Sequence, residues 1–241
     1  MTDPRERLIV ALDVSSAAAA QKIVAAVGDS ASIYKVGMQL YTAEGPQVVR
    51  DLVTAGRKVF LDLKFHDIPN TVGSAVREAA SLGVHMLTVH ACGGSKMLQA
   101  ATDAAARSGK QPPIVLAVTV LTSMDENDLS SVGVAGKVSD QVVRLARTAI
   151  HSGCQGIVAS VQEASLLRKE LGEKFVIVTP GIRPAGSAVG DQARVATPAE
   201  AMTAGATHIV VGRPITGSND PASAAREVLA EMSDSISAVR S

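Results

Sequence analysis

Between positions 62 and 67 the chain sets an acid, a base and a second acid, Asp62, Lys64 and Asp67, in the run Leu61-Asp62-Leu63-Lys64-Phe65-His66-Asp67-Ile68-Pro69-Asn70-Thr71. Residues 58–65 read as a strand, and in a strand alternate side chains share a face. Phe60, Asp62 and Lys64 are therefore expected on one face, with Val59, Leu61 and Leu63 on the other. An isolated buried ion pair is more often neutral or costly than stabilising. So much charge at the end of an apolar strand therefore points to a site. Carboxylates of this kind can keep an ammonium group charged and fixed. The ammonium can in turn stabilise developing negative charge or deliver a proton.

The elements that must position these groups follow from the pattern around them. Short β-branched runs alternate with longer alanine-rich amphipathic runs, eight times over. The expected strands are 8–14, 32–37, 58–65, 84–91, 113–121, 156–160, 175–182 and 208–215. The expected helices are 17–27, 43–55, 71–82, 96–108, 139–152, 162–171 and 198–204, with a last one near 221–232. Gly28, Gly56, Gly83, Gly109, Gly153, Gly172 and Gly205 each stand just past a helix, where a C-cap glycine belongs. Ser15-Ser16, Asn70-Thr71, Ser139-Asp140 and Asn219-Asp220 offer N-cap oxygens. Mostly apolar strands imply a parallel sheet covered by helices. Eight βα units in 241 residues have the size of a single-domain TIM barrel, an α/β fold spanning the whole chain. A doubly wound open sheet is the alternative, but eight units without a break favour closure.

In a barrel, active sites sit at the C-terminal ends of the strands. Strand one is expected to end at Asp13, and strand two carries Lys35, so Asp13, Lys35, Asp62 and Lys64 alternate in sign across three neighbouring strands. The alternative, a structural ring of ion pairs at the mouth, accounts less well for four charges gathered at the catalytic end. The loops after strands seven and eight commonly hold a phosphate in this fold. Here they read Thr179-Pro180-Gly181-Ile182-Arg183-Pro184 and Val211-Gly212-Arg213-Pro214-Ile215-Thr216. The glycines let the backbone approach an anion, and arginine supplies charge-assisted hydrogen bonds. The small, glycine-bearing stretch 185–193 reads as a lid over the ligand.

Composition narrows the function classes. Lys plus Arg equals Asp plus Glu at 23 each, which argues against a nucleic-acid or membrane surface. Cys92 and Cys154 fit neither a CxxC motif nor a disulfide framework and read as reduced packing thiols. No apolar run near the N-terminus has the length of a signal peptide or membrane span, so a cytoplasmic protein is expected. His66 differs in strand parity from Asp62 and Lys64 and reads as structural, His90 can line the mouth, and His85, His151 and His208 fall at helix–strand junctions.

With these residues in place the chain resembles the orotidine 5′-phosphate decarboxylase family of the bacterial type. The resemblance rests on Ala11-Leu12-Asp13, Tyr34-Lys35-Val36-Gly37, the stretch from Asp62 to Thr71, Leu121-Thr122-Ser123, Thr179-Pro180-Gly181-Ile182-Arg183 and Val211-Gly212-Arg213. Asp-x-Lys-x-x-Asp alone also occurs in related magnesium-dependent sugar-phosphate decarboxylases and synthases. These carry an acid where this chain has Lys35, so the lysine speaks against a metal site. By the resemblance, Lys35, Asp62, Lys64 and Asp67 form a catalytic charge network, with Asp67 supplied across a homodimer interface. Asp13 and Lys35 would hold the ribose hydroxyls, and Asp67 and Thr71 would reach the partner's ribose, with Ile68 among the substrate-binding residues. Thr122 and Ser123 would read the pyrimidine edge, and Arg183, Gln192, Gly212 and Arg213 would grip the phosphate. The implied reaction is cofactor-free decarboxylation to uridine 5′-phosphate, without the fused phosphoribosyltransferase of bifunctional relatives. No flavin, pyridoxal or thiamine motif is visible. Two other readings remain open, a magnesium-dependent lyase on the same scaffold and a non-catalytic sensor of phosphate ligands.

Overall fold

The expected strands are mostly buried on both faces, except that residues 62–65 of the third are only half-buried. In the computed structural model, which describes residues 3–184 and 196–238, they are β1 (Leu8–Ala11), β2 (Ile33–Gly37), β3 (Lys58–Phe65), β4 (Met86–His90), β5 (Ile114–Val118), β6 (Gly156–Val158), β7 (Val176–Thr179) and β8 (His208–Val211). All pairs are parallel, and β8 closes onto β1, giving a complete TIM barrel. Strand alternation divides the core in two. Ile9, Ile33, Phe60, Met86, Leu116 and Val178 fill the barrel interior. Their neighbours Val10, Tyr34, Leu61, Leu87, Val115 and Ile177 belong to the larger core between strands and helices.

The helices are α1 (Ala17–Val27), α2 (Met38–Glu44), α3 (Gln47–Thr54), α4 (Pro69–Ser81), α5 (Gly94–Ala106), α6 (Glu126–Ser131), α7 (Val138–His151), α8 (Val161–Leu171), α9 (Pro198–Thr203), α10 (Arg213–Thr216) and α11 (Pro221–Ala238). The seven glycines expected past helices all have positive φ. Ser16 caps α1 through the Ala19 N–H, and Asp220 accepts from the Ser223 N–H in the first turn of α11.

Several boundaries differ from expectation for local reasons. The expected helix 43–55 is α3, which begins only at Gln47, and an unanticipated α2 precedes it; Gly45 turns the chain between them at φ 67° and Pro46 has no N–H to continue α2. β1 stops at Ala11, so Asp13 stands on the loop beyond it. β8 stops at Val211, and 213–216 is a helical turn. α4 begins at Pro69 in the N1 position, with Ile68 at the N-cap and no side-chain cap, so Asn70 and Thr71 lie inside the first turn. Likewise α7 begins at Val138, so Ser139-Asp140 is not its cap. The unanticipated α6 follows β5 and is fixed by a capping box between Asp125 and Asp128.

Candidate active site

Register explains how the charges meet. On the paired strands Lys35 stands beside Phe60, one interior layer below Asp62, which stands beside Gly37. The Lys35 side chain must therefore climb past residue 37 to reach the mouth. A Cβ at position 37 would lie 3.0 Å from the Lys35 Nζ and 3.5 Å from Asp13 Oδ1. Glycine keeps that path open. Lys35 Nζ donates to Asp13 Oδ1 at 2.8 Å and lies 4.0 Å from Asp62 Oδ2. Lys64 Nζ donates to the other oxygen, Asp62 Oδ1, at 2.9 Å. The four groups form a continuous chain of alternating sign, Asp13–Lys35–Asp62–Lys64. Asp13 is the most open, at 59 % side-chain exposure, whereas Lys35 and Asp62 are at 12 % and 16 %.

Simple alternation does not carry Lys64 into this chain. Its φ is 53°, the one positive value at a non-glycine residue among the described residues. β3 also slips against β4 here, since Leu61 pairs with Leu87 but Phe65 pairs with Val89. Asp62, Leu63 and Lys64 thus bulge against the single residue Thr88. The Thr88 hydroxyl accepts from the Lys64 backbone N–H at 2.9 Å and donates to Asp62 Oδ1 at 3.0 Å. Thr88 is fully buried. Sequence reasoning gave it no role, although a polar residue sharing parity with Met86 on an apolar strand was a signal.

Two adjoining cavities open from the network. One, of ≈ 520 Å³, is lined by Asp13, Lys35, Asp62, Arg183, Gly212 and Arg213. The other, of ≈ 170 Å³, is mostly apolar and is lined by Phe60, Lys64, Val118, Thr122, Val158 and Val178. Lys35, Asp62, Pro180 and Val210 line both. The space therefore runs from an apolar recess with one hydroxyl, past the ammonium groups, to a pair of arginines. Burial, together with the facing Arg213, pushes the Arg183 guanidinium below its ordinary pKa. An anion between the two would relieve that repulsion. A larger groove of ≈ 630 Å³ lies on the outer helical layer, lined by Arg144, Arg147, His151 and Glu170. It contains none of the strand-end charges and is not the site.

Other expected residues fall elsewhere. Asp67 is exposed, and its Oδ1 accepts from the Ile68 N–H at 2.6 Å. Ile68 is 66 % exposed, and Thr71 is exposed beside it. None of the three lines either cavity within its own chain. Ser123 is exposed past β5. Gln192 and the expected lid 185–193 lie outside the described residues. The His66 and His90 rings stack at 5.3 Å, and burial, then His66 and Lys64, pushes the His90 imidazole below its ordinary pKa. Cys154 is buried and its thiol is raised to about 12, as for a packing residue.

The site thus sets two ammonium groups between carboxylates, with an apolar recess on one side and two arginines on the other. Residues 6–228 match the family described as orotidine 5′-phosphate decarboxylase / HUMPS. The chain belongs to that family. It is 50 % identical over 233 residues to an orotidine 5′-phosphate decarboxylase of Moorella thermoacetica, covering 95 % of this chain and 92 % of the relative. It is 53 % identical over 231 residues to the enzyme of the same name from Afipia carboxidovorans, covering 96 % of each. The crystal structure of orotidine 5′-phosphate decarboxylase from Lactobacillus acidophilus superposes with a TM-score of 0.86 at 40 % identity, over 94 % of this chain and 99 % of that one.

Proposed function

We propose that this protein decarboxylates orotidine 5′-phosphate to uridine 5′-phosphate and CO2, with the Lys64 ammonium as the proton donor. The observation that carries this reading is the contact of Lys64 Nζ with Asp62 between an apolar recess and an arginine-lined cavity. A nucleotide laid across the two would place its pyrimidine in the recess near Thr122, its ribose against Asp13 and Lys35, and its phosphate at Arg183 and Arg213, with Gly212 allowing close approach. The C6–carboxylate bond breaks, its electron pair stays on C6, and CO2 leaves. The Lys64 ammonium stabilises that charge and transfers a proton to C6, and solvent then reprotonates the amine. Asp62 holds the ammonium in place and, with Asp13, keeps Lys35 fixed. No step calls for a cofactor or a metal.

Asp67, Ile68 and Thr71 stand on an exposed edge beside the mouth, which supports a homodimer in which each chain completes its partner's site. Mixing Lys64→Ala with Asp67→Asn should then restore turnover in the heterodimer, and persistent inactivity after subunit exchange would sink the shared site. The reaction itself is tested by following the ultraviolet absorbance of orotidine 5′-phosphate with purified protein in EDTA. Rapid loss of the substrate signal, abolished in Lys64→Ala, is expected. Silence in EDTA with activity restored by magnesium would instead favour a metal-dependent lyase, and binding without turnover in either condition a sensor. We further propose that the whole chain acts as one cytoplasmic catalytic domain.

A further inference from the structure

We propose that Thr88 is a positioning residue that holds Lys64 and Asp62 in reacting geometry, an inference that rests on the decarboxylase reading above. The bulge in β3 sets three residues, Asp62, Leu63 and Lys64, against one residue of β4. A bulge leaves ladder groups without a backbone partner, and the positive φ of Lys64 is an unfavourable conformation for a residue with a Cβ. The Thr88 hydroxyl takes the place of the missing ladder acceptor, receiving the Lys64 N–H at 2.9 Å. Its own proton goes to Asp62 Oδ1 at 3.0 Å, the same oxygen that receives the Lys64 ammonium at 2.9 Å. One buried hydroxyl therefore ties the backbone of the proton donor to the carboxylate that orients its side chain. Because Thr88 lines neither cavity, it acts through Lys64 and Asp62.

Thr88→Val keeps the β-branched shape and removes the hydroxyl, while Thr88→Ser keeps the hydroxyl and removes the methyl group. In the valine variant kcat for orotidine 5′-phosphate should fall by at least about tenfold, with KM changed less than about threefold, since the phosphate grip is untouched. The serine variant should recover kcat to within about threefold of wild type. Amide hydrogen exchange at Lys64, followed by NMR, should speed up by at least about tenfold in the valine variant and stay protected in the serine variant. A valine variant with wild-type kcat and wild-type protection, or a serine variant as impaired as the valine one, would overturn the role. If the wild type itself does not turn over the substrate, the decarboxylase reading fails. The Lys64 exchange rates then still decide whether Thr88 holds that backbone.

Discussion

Lys35 passes close to a residue that has no side chain. Its ammonium reaches Asp13 and Asp62 past position 37, one layer above on the same strand face, where a Cβ would press against it at 3.0 Å. Asp13, Lys35, Asp62 and Lys64 were legible in the sequence because each stands on or just past an apolar strand, and a charge there has few structural uses. Thr88 was visible as a polar residue near the end of strand four, but its role was not. Its importance comes from a bulge in the neighbouring strand, and parity counting within one strand cannot detect a slip between two. Asp67 marks a different limit, for its carboxylate is exposed, accepts from the Ile68 N–H and lines neither cavity of its own chain. Arg213 permits a test at this scale. It shares a cavity with Lys35 and Asp62 but makes no contact with the recess where C6 would lie. Binding energy from a remote phosphate can be used to organise the reacting groups, so Arg213→Ala should lower kcat/KM by several powers of ten. A measured loss below about tenfold, ~1.4 kcal/mol, would refute the gripping role.

At the scale of elements, type and order followed from periodicity, while ends did not. β1 and β8 proved shorter than their apolar runs: Leu12, past β1, is buried in the outer core, and the residues past Gly212 coil into α10, whose Ile215 is buried there too. A hydrophobic run looks the same whether its last residues pair in a sheet or roof a cavity. The break between α2 and α3 was marked by Gly45-Pro46 yet hidden by the amphipathic pattern on either side. β6 shows a constraint of the opposite kind, a small residue required by packing. A Cβ at Gly156 would lie 2.6 Å from Leu116 Cδ2 and 2.7 Å from both Cβ and the backbone oxygen of Val176. The leucine tip can move aside, but a backbone oxygen on a paired strand cannot without disturbing the ladder. Gly156→Ala should therefore destabilise the barrel by about 1–3 kcal/mol through overpacking. Thermal unfolding should show this as a Tm lower by roughly 2–10 °C for a protein of this size. An unchanged Tm would mean that the interior at β6 has room to spare.

Across the whole molecule the two ends of the barrel divide the work. The C-terminal mouth gathers the network and both cavities, whereas the N-terminal face carries a second charged group built around His208, the first residue of β8. His208 shares a hydrogen bond with the Thr207 hydroxyl at 3.0 Å. The charged and titratable groups acting on it are His85, Arg7 and Lys58, all opposing its protonation, and Glu6, which favours it but is paired with Lys58 at 2.6 Å. Burial first, then His85, Arg7 and Lys58, lowers the His208 imidazole from its usual 6.5 to about 4, and burial lowers His85 as well. The His208 ring therefore stays neutral in the folded protein until the pH approaches 4, while the unfolded chain takes up a proton there near 6.5. The stabilisation from keeping His208 neutral is fully present above about pH 6.5 and is lost as the pH falls from there toward 4, a total on the order of 3 kcal/mol. Residues at this end of a TIM barrel serve stability rather than catalysis, so the effect should appear in unfolding. In urea titrations at pH 7.5 and pH 5.0, the wild type should lose on the order of 2 kcal/mol on acidification and His208→Gln distinctly less. Equal losses in the two proteins would show that the acid sensitivity of the fold resides in groups other than His208.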